Sequence, residues 1–409
     1  AYLSSISKNV NPLKKEGKAE FAYTNFGKPG KIIERKEDQE LGVVQLRFSN
    51  NVRLNLKSTD YEKDSISIGI RIGSGMLSMP KDKPGLATVT SAVFTAGGLK
   101  RHSTDELRRI FAGKTVSGSF AVDEDAFIYS GSTNRKDLAE ALQLMTAYIV
   151  EPGYREEALR QFQNQLDPLY TQLAHTPMGV LQNRVNRFLK SDDFRAGFPS
   201  QPEITMRTLE EVKDWLSDTL ENAYMEIGIV GDFEEQVVID AVSKTAGALP
   251  ERRVNKLDYS DERRINFPEK GQSKAFVFDS EIPKGMVGVY WSTEDIWNIS
   301  RTRRLSVLGA VFADRLRSKV REELGEAYSP YARHIPSDTY KGYGYLMSVI
   351  TVDPPQADKI VNVVEGIGTA LASKGITEDE LERAIKPLLN SIEQQLRQNA
   401  YWLRTVSLS

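Results

Sequence analysis

Apolar and polar positions follow two periods along this chain, and the switches between them outline its elements. Residues 43–48 and 52–56 alternate apolar with polar, as half-buried strands do, and Ser49-Asn50-Asn51 between them suits a hairpin. Residues 65–72 place Ile66, Ile68, Ile70 and Ile72 on one face of another strand. Residues 86–96 have helical spacing and stop at Gly97-Gly98. Ser103-Thr104-Asp105-Glu106 is a capping-box sequence that opens the next helix. Strands are predicted over 117–122 and 126–132, around the turn Asp123-Glu124-Asp125. That acidic turn lacks the ligand spacing of a calcium loop and reads as a solvated hairpin. Helices over 137–148, 155–166 and 176–189 follow. Then come a capped helix from Thr208, a buried strand over 224–231 and a helix over 233–245. Residues 251–264 are densely charged and mark a boundary.

After that boundary the order repeats, weakly in identity but clearly in kind. A strand over 287–291 leads into a long helix over 302–323 that stops at Gly325. Paired strands at 327–334 and 343–352 and a helix over 356–372 follow. Gly375-Ile376-Thr377-Glu378 then opens a further helix, as Gly153-Tyr154-Arg155-Glu156 does earlier. The last stretch, 384–409, reads as one helix carrying Ile385, Leu388, Leu389, Ile392 and Leu396 at helical spacing. The predicted fold is therefore α+β: two tandem homologous domains, each a mainly antiparallel sheet with helices packed on one face. Their expected bounds are 41–255 and 265–409, the second lacking its closing elements, after a polar linker or extended arm over 1–40.

Composition narrows the chemistry. The 409 residues are 40% hydrophobic and 27% charged with a net charge of −2, which gives no electrostatic argument for a nucleic-acid or anionic-membrane partner. No apolar run approaches the roughly 18–20 residues of a membrane span. Cysteine is absent, which removes disulfides, thiolate nucleophiles and thiolate metal ligands. The start at Ala1, inside a polar stretch, reads as a processed or excised N-terminus. The histidines are His102, His175 and His334, and no two lie within one helical turn. Gly73-Ser74-Gly75 and Ala96-Gly97-Gly98 are too short and wrongly placed for a phosphate loop.

The repeated α+β unit, Gly85-Leu86-Ala87 at the start of a helix, and Arg317-Ser318-Lys319-Val320-Arg321-Glu322-Glu323-Leu324-Gly325-Glu326-Ala327-Tyr328-Ser329 together resemble the insulinase, or pitrilysin-like, zinc metallopeptidases. These inverzincins carry His-x-x-Glu-His on a helix, with a distant Glu as third ligand. The two His grip zinc and the Glu handles the proton of the metal-bound water. Two halves of two domains each close like a clamshell around a peptide. In this chain the positions matching the ligands and base are Thr88, Ala92 and Ser91, and the best match to the distant Glu is Gln165. None of these four can do the zinc chemistry. The resemblance therefore implies the non-metal, C-terminal-type half, with no cofactor of its own and zinc in a complementary half.

The same resemblance assigns Arg321 and Tyr328, seven residues apart, to substrate contacts in the assembled enzyme. Tyr would meet the carbonyl under attack and Arg would hold the substrate backbone. Alone, the chain is expected to be inactive and to carry no catalytic residue. Its expected partners are a peptide substrate and a zinc-bearing half, in the same longer chain or as a separate subunit. A bacterial periplasmic location follows the family habit. The alternative is a non-enzymatic peptide-binding or structural subunit of the same fold.

Overall fold

The computed structural model describes residues 20–281, 283–324 and 330–407. Its first sheet has seven strands: β1 (Ile32–Asp38), β2 (Val43–Phe48), β3 (Arg53–Ser58), β4 (Ile66–Ile72), β5 (Ser119–Val122), β6 (Phe127–Thr133) and β7 (Met225–Gly231), in the spatial order β1-β2-β3-β7-β4-β6-β5. Only the β3–β7 pairing is parallel. The second sheet, β8 (Gly285–Thr293), β9 (Tyr331–Pro336) and β10 (Gly344–Val352), is antiparallel in the order β8-β10-β9. The chain is thus α+β with mainly antiparallel sheets.

Alternation in the sequence becomes two-sidedness in the fold. Ile66, Ile68, Ile70 and Ile72 all point into one buried core together with Leu54, Leu56, Ile227 and Ile229. Helices α1 (Leu86–Val93), α2 (Thr104–Ile110), α3 (Leu138–Val150), α4 (Glu156–Gln163), α5 (Leu166–His175), α6 (Leu209–Asn222) and α7 (Glu235–Lys244) contribute buried residues to the first unit. The capping boxes expected at Ser103 and Thr208 both close. The second core, built on Phe312, Leu316, Ile350, Val352, Ile360 and Val364, joins its sheet to α8 (Ile299–Leu324) and α9 (Ala357–Lys374).

Three expected elements change. Part of the stretch read as an arm is strand β1, which pairs with β2. The helix expected over 176–189 is interrupted by a π-helical turn at Leu181–Val185. The single helix expected over 384–409 is two helices. α10 (Glu378–Gln395) opens on a Thr377 capping box and is clamped by Arg315, which donates to both Glu380 carboxylate oxygens at 2.6 and 2.8 Å. The chain then breaks around Gln398, which has an extended conformation, and α11 (Asn399–Val406) turns back onto the first sheet.

That return explains why the first sheet is not bare on the face away from its own helices. Gly69 and Gly228 are direct cross-strand partners on β4 and β7, and Leu403 of α11 lies over both. Two missing side chains make the hollow that admits the helix. Trp402 and Val406 pack with Val43 and Val230, and the Lys57 ammonium sits 4.2 Å from the centre of the Trp402 ring. Asn55 Nδ2 donates to the Val406 carbonyl at 2.6 Å, and Thr59 Oγ1 donates to the Asn399 side chain at 2.7 Å. In return, Tyr343 beside the second sheet donates to the Leu189 carbonyl at 3.1 Å, and Phe188 meets Phe276.

The acidic turn between β5 and β6 is not the solvated hairpin its composition predicts. Asp125 accepts from Arg71 at 2.6 Å and lies 3.5 Å from Arg263. Glu124 accepts from Lys190 at 2.6 Å, and Lys190 in turn lies over the ring of buried Tyr340. Charges that look solvated in one dimension are paired within the first unit and with Arg263 of the connecting stretch, and Lys190 carries the contact on to Tyr340 of the second unit.

Candidate functional site

Helix α1 presents Thr88, Ser91 and Ala92 on one face, since residues three and four apart stack on a helix. All three are half-buried. Ser91 Oγ donates to the Ala87 carbonyl at 2.9 Å and accepts from the Val122 backbone N–H at 2.9 Å. Ser91 therefore acts here as a peg that satisfies a donor of edge strand β5. Thr88 and Ala92 bring no imidazole, so this face does not fit a zinc ion. Gln165 is exposed, immediately before α5, and caps that helix with no side-chain bond. Asp167, the neighbouring carboxylate, accepts from Gln201 at 2.5 Å. Among the described residues no group of three or more His, Asp or Glu side chains could hold a metal ion.

The histidines are separately employed. His102 is buried, stacks on Phe21 and accepts from the Ala22 N–H at 2.9 Å. Burial holds its imidazole below the usual histidine range. His334 shares a hydrogen bond with Thr293 at 3.0 Å, and His175 one with the Asp279 carbonyl at 2.8 Å.

Arg321 lies exposed in the last turn of α8. Its neighbour Glu322 is taken by Lys319 at 2.8 Å, and among the described residues Arg321 forms no ion pair. Tyr328 lies outside the described residues. Of the nearby aromatics, Tyr340 and Tyr343 are buried with Leu77 and packed against Phe267 and Tyr345. Burial raises all three tyrosine hydroxyls above their ordinary range, as it does that of Tyr290. They hold the two units together.

Two features escaped the sequence reading. One is a cavity of about 800 Å³ between α11 and the open face of β4, β6 and β5. Its floor is small and polar, with Ser67, Ser130 and Ser132, and its rim carries Arg404 and Asp338. The other is Glu226, only 3% exposed on the same open face. Asn55 Nδ2 donates to Glu226 at 2.6 Å as well as to the end of α11, and Tyr224 donates to it at 3.3 Å. Burial raises the Glu226 carboxyl above its ordinary value, and the Asn55 hydrogen bond, Lys256, the Tyr224 hydrogen bond and Arg53 only partly oppose this. The one sequence signal for either feature was a carboxylate inside an otherwise apolar strand.

The sign of the linkage is set by that direction. A carboxyl whose folded-state pKa is raised contributes stability below its unfolded value, and the contribution is lost as pH rises through the raised value. The thermal midpoint is therefore expected to fall as pH rises above the ordinary carboxylate range, and Glu226→Gln to flatten that part of the profile. Calorimetry of both proteins checks it. Equal slopes would remove Glu226 as the cause.

A family model described as the peptidase M16 inactive domain matches residues 207–388. The stromal processing peptidase of Oryza sativa subsp. indica is 23% identical over 420 residues, covering 90% of this chain and 33% of that protein. The chain thus spans about a third of that relative's length (33%). The solved periplasmic protease PqqL from Escherichia coli superposes with a TM-score of 0.79 at 18% identity, covering 98% of this chain and 44% of that one. The peptidase M16 inactive domain from Pseudomonas fluorescens gives 0.72 at 18% identity, with 90% and 87% covered. At these identities the structures speak to fold.

Proposed function

Because this chain is a homologue of the insulinase-type (M16) peptidases that carries their inactive domain, we propose that it is the non-catalytic half of a zinc-dependent endopeptidase. In this reading its two domains are those expected at 41–255 and 265–409, the first extended to take in β1 (Ile32–Asp38), and a complementary half holds the zinc. Peptides bind in extended form within the clamshell, paired to a sheet edge through main-chain hydrogen bonds. Arg321 holds the substrate backbone and Tyr328 donates to the carbonyl under attack. Zinc would supply the activated water in the other half. Its partner half and a periplasmic location belong to the same proposal. Among the described residues no helix is long and apolar enough to cross a membrane.

The observation that carries the reading is the α1 face. In this reading α1 corresponds to the helix that bears the family's zinc motif; on it Ser91 is a backbone peg against β5 and Thr88 and Ala92 offer no ligand. A face of this kind supports a half that shapes a site without running the chemistry.

The test is zinc content and peptidase activity, measured on the 409-residue chain and then on the assembly with its zinc-bearing half. The chain alone is expected to hold far less than one zinc per molecule and to cleave nothing. Zinc and activity should appear together in the assembly. One tightly held zinc per isolated chain would overturn the proposal. An assembly that holds zinc but cleaves no peptide would favour the non-enzymatic subunit.

A further inference from the structure

Residues 20–31, ahead of β1, form neither helix nor strand, yet Phe21, Tyr23 and Phe26 all pack on the first core. The two ends of this segment are held by different chemistry. At the far end Gly30 N–H donates to the Ser243 carbonyl at 2.9 Å, and Ser243 Oγ donates to the Gly30 carbonyl at 2.8 Å, at the close of α7. Neither of those bonds titrates. Gly27 lies between the ends with a φ of +123°, a conformation that only glycine adopts easily.

At the near end the anchor is His102. Its Nε2 accepts from the Ala22 N–H at 2.9 Å, so the ring is neutral and its proton is on Nδ1. Phe21 stacks on the ring at 5.7 Å and Tyr23 stands edge-on at 6.0 Å. An imidazolium carries a hydrogen on both nitrogens and cannot accept. Protonation therefore sets two N–H groups against each other in a site where His102 is 7% exposed.

The surroundings oppose that charge. Burial is the largest cause; Arg101 next to the ring and Arg155 at the start of α4 act with it, and Glu106 of α2 acts against it. The Glu106 carboxylate is already committed to the backbone N–H and hydroxyl of Ser103. Glu151, past the end of α3, accepts from the Tyr23 hydroxyl at 2.9 Å and lies 3.6 Å from Arg101.

We propose that His102 is an acid-sensitive latch for this segment. Protonation of Nε2 breaks the bond to Ala22 and frees residues 20–26 about Gly27, while Gly30 stays tied to Ser243. Docking is favoured above the ordinary histidine range and is lost as pH falls through the lowered value. The device rests on one hydrogen bond and its neighbours, and stands apart from the peptidase reading.

The chain has no cysteine, so Thr24→Cys, at an exposed position, takes a single nitroxide label. Electron paramagnetic resonance then reads the label's mobility between about pH 7.5 and about pH 4. The ratio of mobile to immobile label is expected to rise at least about tenfold on acidification, with its midpoint below the ordinary histidine value of about 6.5. His102→Gln keeps an acceptor near the place of Nε2 and does not titrate, so its label should stay immobile throughout. His102→Ala should be mobile already at neutral pH. Circular dichroism of the same samples separates release from unfolding. A transition that persists in His102→Gln would overturn the proposal. So would a label that never loosens in the parent, or one that stays fixed in His102→Ala. Loss of helical signal in step with the label would also overturn it, since acid would then unfold the unit and not release the segment.

Discussion

Valine at position 228 is expected to lift α11 off the first sheet while leaving that sheet's core intact. A Cβ built on Gly228 stands 2.7 Å from Ser407 Oγ, 3.1 Å from Leu403 Cδ1 and 3.3 Å from Val406 Cγ2, and valine adds two methyl groups beyond it. The backbone there is ordinary strand, so the clash falls on the helix and not on β7. Overpacking of this kind costs about 1–3 kcal/mol. Exchange of the α11 amides should then quicken by about ten- to a hundredfold, provided they exchange by local release. Gly69→Ala is the matched control. Its Cβ would meet Leu403 at 3.6 Å, an ordinary contact, so little change is expected. Unchanged α11 exchange in Gly228→Val would mean that the glycine pair is not what seats the helix. Because α11 also walls the cavity of about 800 Å³, the same variant tests whether that space depends on the docked helix.

What could be read in advance follows from how far each interaction reaches along the chain. Period-2 alternation placed the strand over 66–72, an apolar run the buried strand over 225–231, and capping boxes the helix starts at Ser103 and Thr208, because those signals are local. The docking of α11 was not legible. Leu403 meets Gly69 and Gly228 across long separations, and nothing near residue 400 announces them. The charged stretch 251–264 likewise hides a long-range contact. Arg252 is 4% exposed and donates to the carbonyls of Leu220 and Ala223 at the end of α6, so it belongs to the first unit's structure. Burial pulls its guanidinium down to about 10. Counting charges cannot separate a solvated run from one that caps a distant helix. At the candidate site, the sequence already shows that Thr88, Ser91 and Ala92 carry no imidazole or carboxylate, but the bond from Val122 to Ser91 needed coordinates.

Tyr328→Phe, made in the assembled peptidase, is expected to lower kcat by about a hundredfold with little change in KM. The substitution keeps the ring and removes only the hydroxyl. If that hydroxyl donates to an oxygen whose charge grows as the carbonyl is attacked, its contribution is larger in the transition state than in the bound substrate. One preorganised donor of this type supplies about 3 kcal/mol, which is the hundredfold. Arg321 should behave differently. Its exposed guanidinium, left unpaired among the described residues, can hold the ground-state peptide as well as the transition state. Arg321→Lys keeps the charge but loses the planar fork of donors, so it should raise KM more than it lowers kcat. Steady-state kinetics on a peptide substrate separates the two roles. A Tyr328→Phe effect confined to KM would make the tyrosine a binding contact. A parallel loss of kcat in both variants would mean that they act as one unit and must be compared through the double variant.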